Sequence, residues 1–389
     1  ASTVLLAACG SQAAAPGSSA AAKPSSAPAS PVPSGSAPAG SAAGSSAAAS
    51  AGGSTAPPAS GSPAAQPSAA SASNVAGKLD IVHQGNLQGV TLEASIARAR
   101  GYFAELGIDS QEQVFTSGAQ QTPLLATGQL DIGTASVNSA LFNSIAQGVK
   151  SKVVVDGGHL EKGIWSYGYL LRSDLVDSVK SIAAVKGRTF LSITDPKQGG
   201  NGFSAQRMLA TANLTIDDVK WVNVPLPQMA QALQNKAADA AHVFEPFVTL
   251  TTQGGAAVKW QSAADYYPGE AVGFLVFSEA FIQQKNDVAK RWMTALIRGM
   301  RDMLEWETSK KDNDLILPVL QKATGLAPDV LPKVQWNRTN PDGGINVQGV
   351  LDDQKQLFEW GSIKQQYTID QVYDAQFVDY AVKQLGKAS

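Results

Sequence analysis

Beyond residue 77 the chain alternates short apolar runs with stretches of helical period. Leu79-Asp80-Ile81-Val82 reads as a strand, and Gln84 to Gly89 as the loop that follows it. Leu92 to Phe103 is apolar on one face and reads as a helix, stopped by Gly107 after Glu105-Leu106. Val114-Phe115, Leu130 to Gly133 and Lys152 to Val155 read as strands, with helices over Thr122 to Thr127 and Asn138 to Ala146 between them. The rhythm repeats with strands at Tyr169 to Leu171, Arg188 to Ile193, Val219 to Val224 and Ala238 to Val243. Helices at Ile182 to Gly187, Phe203 to Ala212 and Met229 to Asn235 fall between these. A last strand over Val272 to Phe277 leads into a long helix, Val288 to Glu307, in which Trp292, Leu296, Met300, Met303 and Leu304 form one stripe. Further helices are expected near Asp314 to Lys322, Val350 to Trp360 and Ile369 to Leu385. Strands alternating with helices predict mainly parallel sheets covered on both faces, an α/β fold.

Composition changes this picture at the N-terminal side. Residues 10–77 hold one charge, Lys23, no aromatic residue, and ten of the 20 prolines. Such a segment cannot bury enough apolar surface to offset chain entropy and is expected to be a disordered tether. As a flexible chain it has a reach of roughly 45 Å. The remaining 312 residues exceed the roughly 250–300 at which a single core stops growing, so two lobes are expected. The order of elements suggests that residues 78–170 open the first lobe and 171–271 form an inserted second lobe. Residues 272–389 then return to the first lobe with a strand and the C-terminal helices. Thirty basic residues against 32 acidic ones give a net charge of −2, with no basic excess to attract nucleic acid. The single cysteine, Cys9, excludes an intrachain disulfide and any Cys-based metal site. Leu6-Ala7-Ala8-Cys9 resembles the lipobox of bacterial lipoproteins. Residues 1–9 are therefore expected to be the end of a truncated export signal. Cys9 would be lipidated and would anchor an extracytoplasmic protein to its membrane.

Four segments resemble one protein family. Ile96-Ala97-Arg98-Ala99-Arg100-Gly101-Tyr102-Phe103-Ala104-Glu105-Leu106-Gly107-Ile108 resembles the first-lobe helix of nitrate/sulfonate/taurine-type solute-binding proteins. Leu125-Ala126-Thr127-Gly128-Gln129-Leu130-Asp131-Ile132-Gly133 resembles their LxxGxxDxG segment, and Val185-Lys186-Gly187-Arg188-Thr189 the start of their second lobe. Leu233 to Ala240 with Phe244-Glu245-Pro246-Phe247 resembles their LxxGxxDAxxxWEPF segment. The resemblance spans 78 to about 310 and implies a type II periplasmic-binding-protein fold, two α/β lobes with a ligand cleft between them. It also implies the receptor of an ABC importer, with a permease and its ATPase as partners.

In open α/β sheets ligands sit beyond the carboxyl ends of the strands. That rule singles out Gln84, Gly85 and Asn86, then Thr134, Ala135 and Ser136, then His159 through Tyr167 with Trp165, and His242 to Glu245. It also singles out Gly200, Asn201, Gly202, Phe203 and Ser204. Thr134 to Ser136 and Gly199 to Gly202 each precede a helix and read either as anion seats or as ordinary strand-to-helix turns. Glu245 reads either as an acceptor for a solute donor or as a structural acid, and Trp165 and Tyr167 as solute or core contacts. His83, His159 and His242 show no tight ligand spacing, so no metal site is expected.

The helix N-termini favour an anionic solute such as a sulfonate, taurine or another organic anion. Glu245 and the aromatics favour a larger donor-bearing solute, and some relatives bind a thiamine pyrimidine precursor or related heterocycle. No Gly-x-Ser-x-Gly motif or catalytic dyad is present. The cysteine-rich motif of the related pyrimidine-making branch is missing, so neither an enzyme nor a cofactor is expected. A sensor domain using the same pocket is the alternative from another class, and a monomer is the expected state.

Overall fold

The computed structural model describes residues 78–87, 91–115 and 118–388. The tether, the lipobox and Cys9 lie outside the described residues.

The first sheet takes β1 (Asp80–Leu87), β2 (Ile108–Phe115), β3 (Ile132–Ala135), β4 (Lys152–Asp156) and the late strand β10 (Phe274–Phe277). Its order is β2-β1-β3-β10-β4, with β10 antiparallel to both of its neighbours. Val153-Val154-Val155 and Phe274 to Phe277 are fully buried runs, because helices cover both faces of the sheet. The predicted helix over 92–103 is broken into α1 (Leu92–Ala99) and α2 (Tyr102–Glu105). Gly101 between them adopts φ 79°, a left-handed turn that only glycine takes without strain. Helices α3 (Thr122–Ala126) and α4 (Ser139–Ala146) follow as the pattern predicted.

The second sheet takes β5 (Tyr167–Arg172), β6 (Thr189–Ser192), β7 (Lys220–Asn223), β8 (Ala240–Phe244) and β9 (Ala257–Ser262), in the order β7-β6-β8-β5-β9. Strand β5 already belongs to this sheet at Tyr167, a few residues before the expected boundary at 170. Helices α5 (Asn201–Ala210), α6 (Leu226–Gln234), α7 (Phe247–Gln253) and α8 (Ala263–Tyr266) cover it. The pattern reading missed α7 and β9. The Thr-rich stretch from 249 to 252 and the isolated polar residues of β9 blur their periods.

After β10 the chain runs through α9 (Glu279–Gln284), α10 (Asn286–Ser309), α11 (Asn313–Thr324), α12 (Val347–Glu359), α13 (Ile369–Val372) and α14 (Gln376–Leu385). Trp292, Met293, Leu296 and Met300 of α10 pack with Val82, Ile132, Phe277 and Phe377 in the core of the first lobe. The C-terminal part does not belong to that lobe alone. Trp360, just past α12, stacks on Phe203 of the second lobe, with ring centroids 5.7 Å apart.

The two lobes are joined by two crossings, 157–166 and 263–273, that hydrogen-bond to each other. Gly157 N–H donates to Gly273 O at 2.9 Å, Val272 N–H to Gly158 O at 2.7 Å, and Leu160 N–H to Glu270 O at 2.9 Å. A third segment, the loop before α12, lies along the first crossing, where His159 N–H donates to Arg338 O at 2.7 Å. The Asp156 carboxylate, 4% exposed, holds these parts together. It accepts from Gly158 N–H and Asn340 N–H, both at 2.9 Å, and pairs with His159 Nδ1 at 2.8 Å. That contact raises the His159 pKa above its usual value.

Asp156→Ala leaves two backbone amides and an imidazole facing an absent acceptor. It should destabilise the protein by about 3 kcal/mol, since bonds to a charged acceptor contribute about 1.5–3 kcal/mol each. Thermal unfolding of the full chain checks this, and an unchanged melting temperature would show that the hinge does not depend on the carboxylate.

Candidate functional site

The two expected anion seats face each other across the cleft. Asn138 and Gly199 form an antiparallel bridge, and Gly200 N–H donates to Val137 O at 3.0 Å. Gly199 has φ 109°, and a Cβ there would lie 2.7 Å from the Asn138 Cα, so glycine is what allows the two backbones to meet. Ser139 Oγ donates to Gln198 Oε1, and Ser362 Oγ to Lys197 O at 2.6 Å. Asn201 opens α5, and Gly202 lies in its first turn, where a Cβ would run into the Pro196 carbonyl. On the first lobe, Thr134 N–H donates to Gln121 Oε1 at 2.8 Å and Ser136 Oγ to Val272 O at 3.4 Å. Asn138, not the Thr134 to Ser136 segment, caps α4 by accepting from Leu141 N–H at 2.9 Å. Of the amides expected to hold an anion, that of Gly200 is engaged between the lobes and that of Thr134 by the Gln121 side chain.

Gln84 and Asn86 lie within β1 rather than in a loop. Asn86 Oδ1 accepts from Thr91 Oγ1 at 2.6 Å, and its amide donates to Glu112. Arg98 pairs with Glu112 at 3.0 Å and reaches Gln84 Oε1 at 3.5 Å. This cluster ties β1 to β2 and to α1.

Glu245 is buried, and both of its oxygens are occupied. Oε2 accepts from Thr249 N–H at 2.9 Å, and Oε1 from Thr249 Oγ1 at 2.8 Å and Gln335 N–H at 3.4 Å. Burial raises its pKa against these bonds, which lower it. Glu245 therefore ties the first turn of α7 to the loop before α12; of its two expected roles, the geometry gives the structural one. Trp165 sits at the same corner. Its N–H donates to Gln335 Oε1 at 2.6 Å, and its ring receives the Lys259 ammonium at 5.1 Å.

The remaining expected residues converge at the cleft end of the second sheet. Tyr167 and Tyr169 alternate onto one face of β5, opposite Phe244 and His242 of β8. The His242 ring meets Tyr167 edge-on at 4.2 Å and Tyr169 at 5.1 Å. Ser204, in the first turns of α5, bonds the Tyr169 hydroxyl at 3.2 Å. Phe203 beside it packs on Trp360. His242 is 1% exposed, neither ring nitrogen has a partner, and burial lowers its pKa to about 3, so it stays neutral.

Pattern reading missed three charged groups here. Glu270, on the return crossing, is 2% exposed. Ser204 turns its amide and hydroxyl toward that carboxylate without closing a hydrogen bond on either oxygen. Arg207 of α5 lies flat over the Tyr267 ring at 3.4 Å and pairs with Asp353 of α12 at 3.7 Å. Asp353, bonded to the Tyr267 hydroxyl at 2.7 Å, has its pKa raised to about 7, chiefly by burial. Tyr169 was legible from its spacing of two from Tyr167. Nothing local marks Glu270 or Asp353.

His83, His159 and His242 lie on separate elements, and no three His, Cys, Asp or Glu side chains converge among the described residues. A separate groove of about 320 Å³ opens between Ile145, Lys150, Lys152, Glu279 and Ile282. It lies at the end of the first sheet away from the cleft and gathers none of these groups.

A family model described as NMT1/THI5 like matches residues 92–306. Relatives from Brucella abortus, named only as candidate binding proteins, are 25% identical over 209 residues, 54% of this chain. The match spans 61% of the length of those relatives. An alkanesulfonate-binding protein from Xanthomonas axonopodis, solved with MOPS, has TM-score 0.61 at 16% identity, covering 77% of this chain and 100% of its own. A periplasmic nitrate-binding protein from Synechocystis has TM-score 0.62 at 13% identity, covering 79% and 90%. A desulfurization enzyme has TM-score 0.57 at 13% identity, covering 79% and 99%. At these identities the likeness carries the fold, and that fold hosts both binding proteins and an enzyme.

Glu245→Ala removes the acceptor for α7 and for the loop before α12. It should lower the unfolding free energy by about 2–3 kcal/mol, read from urea denaturation at an unchanged slope. A midpoint equal to that of the wild type would return Glu245 to the solute-facing role.

Proposed function

The chain belongs to the NMT1/THI5-like family and has the two-lobed α/β fold of periplasmic solute-binding proteins, and from this premise we propose that it is the extracytoplasmic receptor of an ABC importer. It captures a small organic solute between its lobes and delivers it to the permease. The observation that carries this reading is the buried end of the second sheet. There Tyr167, Tyr169, His242 and Glu270 meet at the cleft, with the His242 nitrogens and the Glu270 oxygens unpartnered. Buried polar groups are almost always hydrogen-bonded, so a group of them left open where two hinged lobes meet fits a solute that supplies the partners. Aromatic walls suit a solute with a flat or apolar body. They support the heterocycle reading over a bare inorganic anion.

The organic-anion reading, a sulfonate or taurine, rests on turns whose Gly200 and Thr134 amides already have partners. It therefore stands second. Transport rather than catalysis is supported by the relatives and neighbours named as binding proteins.

The true solute should raise the melting temperature of the full chain by several degrees at a hundredfold excess over Kd, from about 2.7 kcal/mol of linkage. A panel of sulfonates, carboxylates and aminated heterocycles finds it. His242→Phe keeps the ring packing and removes the nitrogens. It should weaken that solute about tenfold with little change in the unliganded melting point. Full retention of affinity would move the site elsewhere.

Membrane attachment through Cys9 completes the proposal. Cys9→Ser should leave folding intact and release the protein from membranes in a detergent-partition assay. Equal retention of both forms would remove the anchor from the proposal.

A further inference from the structure

The open carboxylate at the cleft bears on the kind of solute. Glu270 offers two oxygens with about four lone-pair positions, and no hydrogen bond closes on either oxygen. A carboxylate buried without a partner is costly, and it is retained where something supplies that partner. The neighbours supply it only in part. From α5, the Ser204 amide and hydroxyl and the Arg207 charge pull its pKa down, but neither closes a bond on an oxygen, and Arg207 is held on the Tyr267 ring and on Asp353. From α12, Asp353 adds a like charge. From β5, Tyr167 and Tyr169 bring rings and hydroxyls but no cation. Tyr267, on the crossing of Glu270 itself, bonds Asp353. The local balance is two acids against one guanidinium.

We propose, building on the receptor reading, that Glu270 selects a solute bearing a protonated amine or amidine-like N–H group, whose ring or apolar body lies against Tyr167 and His242. An anionic head could be held only with Glu270 protonated, and the one guanidinium nearby, Arg207, is already engaged by Asp353 and the Tyr267 ring. A cationic nitrogen completes the balance and fills the open lone pairs. Neutral His242 contributes one donor and one acceptor beside it, which suits a nitrogen-rich ring.

The selection has a proton signature. Burial and the Asp353 charge push the Glu270 carboxyl well above its ordinary pKa, so its ionisation is disfavoured until a cation arrives. A cation binds the ionised form, and the proton leaves to solvent. Affinity for a permanently cationic solute therefore rises with pH. A sulfonate would instead accept a hydrogen bond from the protonated acid, and its affinity would fall as pH rises.

The test uses the full chain with two probes that share a ring and differ in the head, benzamidine and benzenesulfonate. Binding is followed by calorimetry near pH 6 and near pH 8, with wild type and Glu270→Gln. Benzamidine is expected to bind wild type more tightly at the higher pH and to lose at least tenfold in affinity, about 1.4 kcal/mol, in E270Q. Benzenesulfonate binding that matches benzamidine in wild type and persists in E270Q would overturn the selection while leaving the receptor reading intact. So would benzamidine affinity unchanged by the substitution, or no benzamidine binding where another solute class stabilises the protein. A full solute panel that gives no stabilisation would remove the receptor reading and this inference together. Should E270Q not fold, the pH dependence of benzamidine binding to wild type decides, and affinity falling as pH rises would overturn the proposal.

Discussion

Asp156 ends the last parallel strand of the first sheet, where the chain must leave one lobe for the other. A carboxylate buried at such a point has to be surrounded by donors, because leaving it unpaired costs several kcal/mol. Gly158, His159 and Asn340 supply them, and they come from two segments that are 180 residues apart in the chain. The first crossing and the loop before α12 are thereby held side by side, and backbone bonds add the second crossing. The loop then reaches the second lobe through Gln335, which contacts Glu245 and Trp165. The hinge is thus three segments wide, and the C-terminal third of the chain serves both lobes.

This arrangement decides what remains for a solute. With the lobes held together, the Val137-Asn138 and Gly199-Gly200 backbones bond each other, and amides that would suit an anion become part of the contact between lobes. What stays open is buried under α5 and α12. It holds a neutral histidine, two tyrosines and a carboxylate, with Asp353 and Arg207 already paired behind them. The two acids at the cleft therefore differ in role for a reason of neighbourhood. Glu245 finds a helix N-terminus and closes on it, whereas Glu270 meets the first turns of α5 only through Ser204, with no bond closing on either oxygen.

The α/β class, the two lobes, the family and several members of the buried group were legible along the chain. Runs such as Val153-Val154-Val155 and the stripe on α10 report local period and burial, and these are properties of neighbouring residues. Tyr167, Ser204 and His242 followed from the position of strand ends. The extent of β1 beyond Val82 was hidden because Gln84 and Asn86 are polar yet buried, with Asn86 bonded to Glu112 of β2 and Gln84 Oε1 reached by Arg98 of α1.

The sequence by itself determined the α/β class, most of the segments that form strands and helices, and which family the chain belongs to. Only the tertiary structure decided which polar groups find partners. Glu245, Glu270 and Asp353 are all carboxylic acids, and their local surroundings do not distinguish an acid that caps a helix from one left open at the cleft. That distinction rests on donors brought from 90 residues away in the case of Gln335, and on Asp353 and Arg207 arriving from two different helices. Hydrogen-bond satisfaction depends on distance in space, and one-dimensional periodicity carries no record of it.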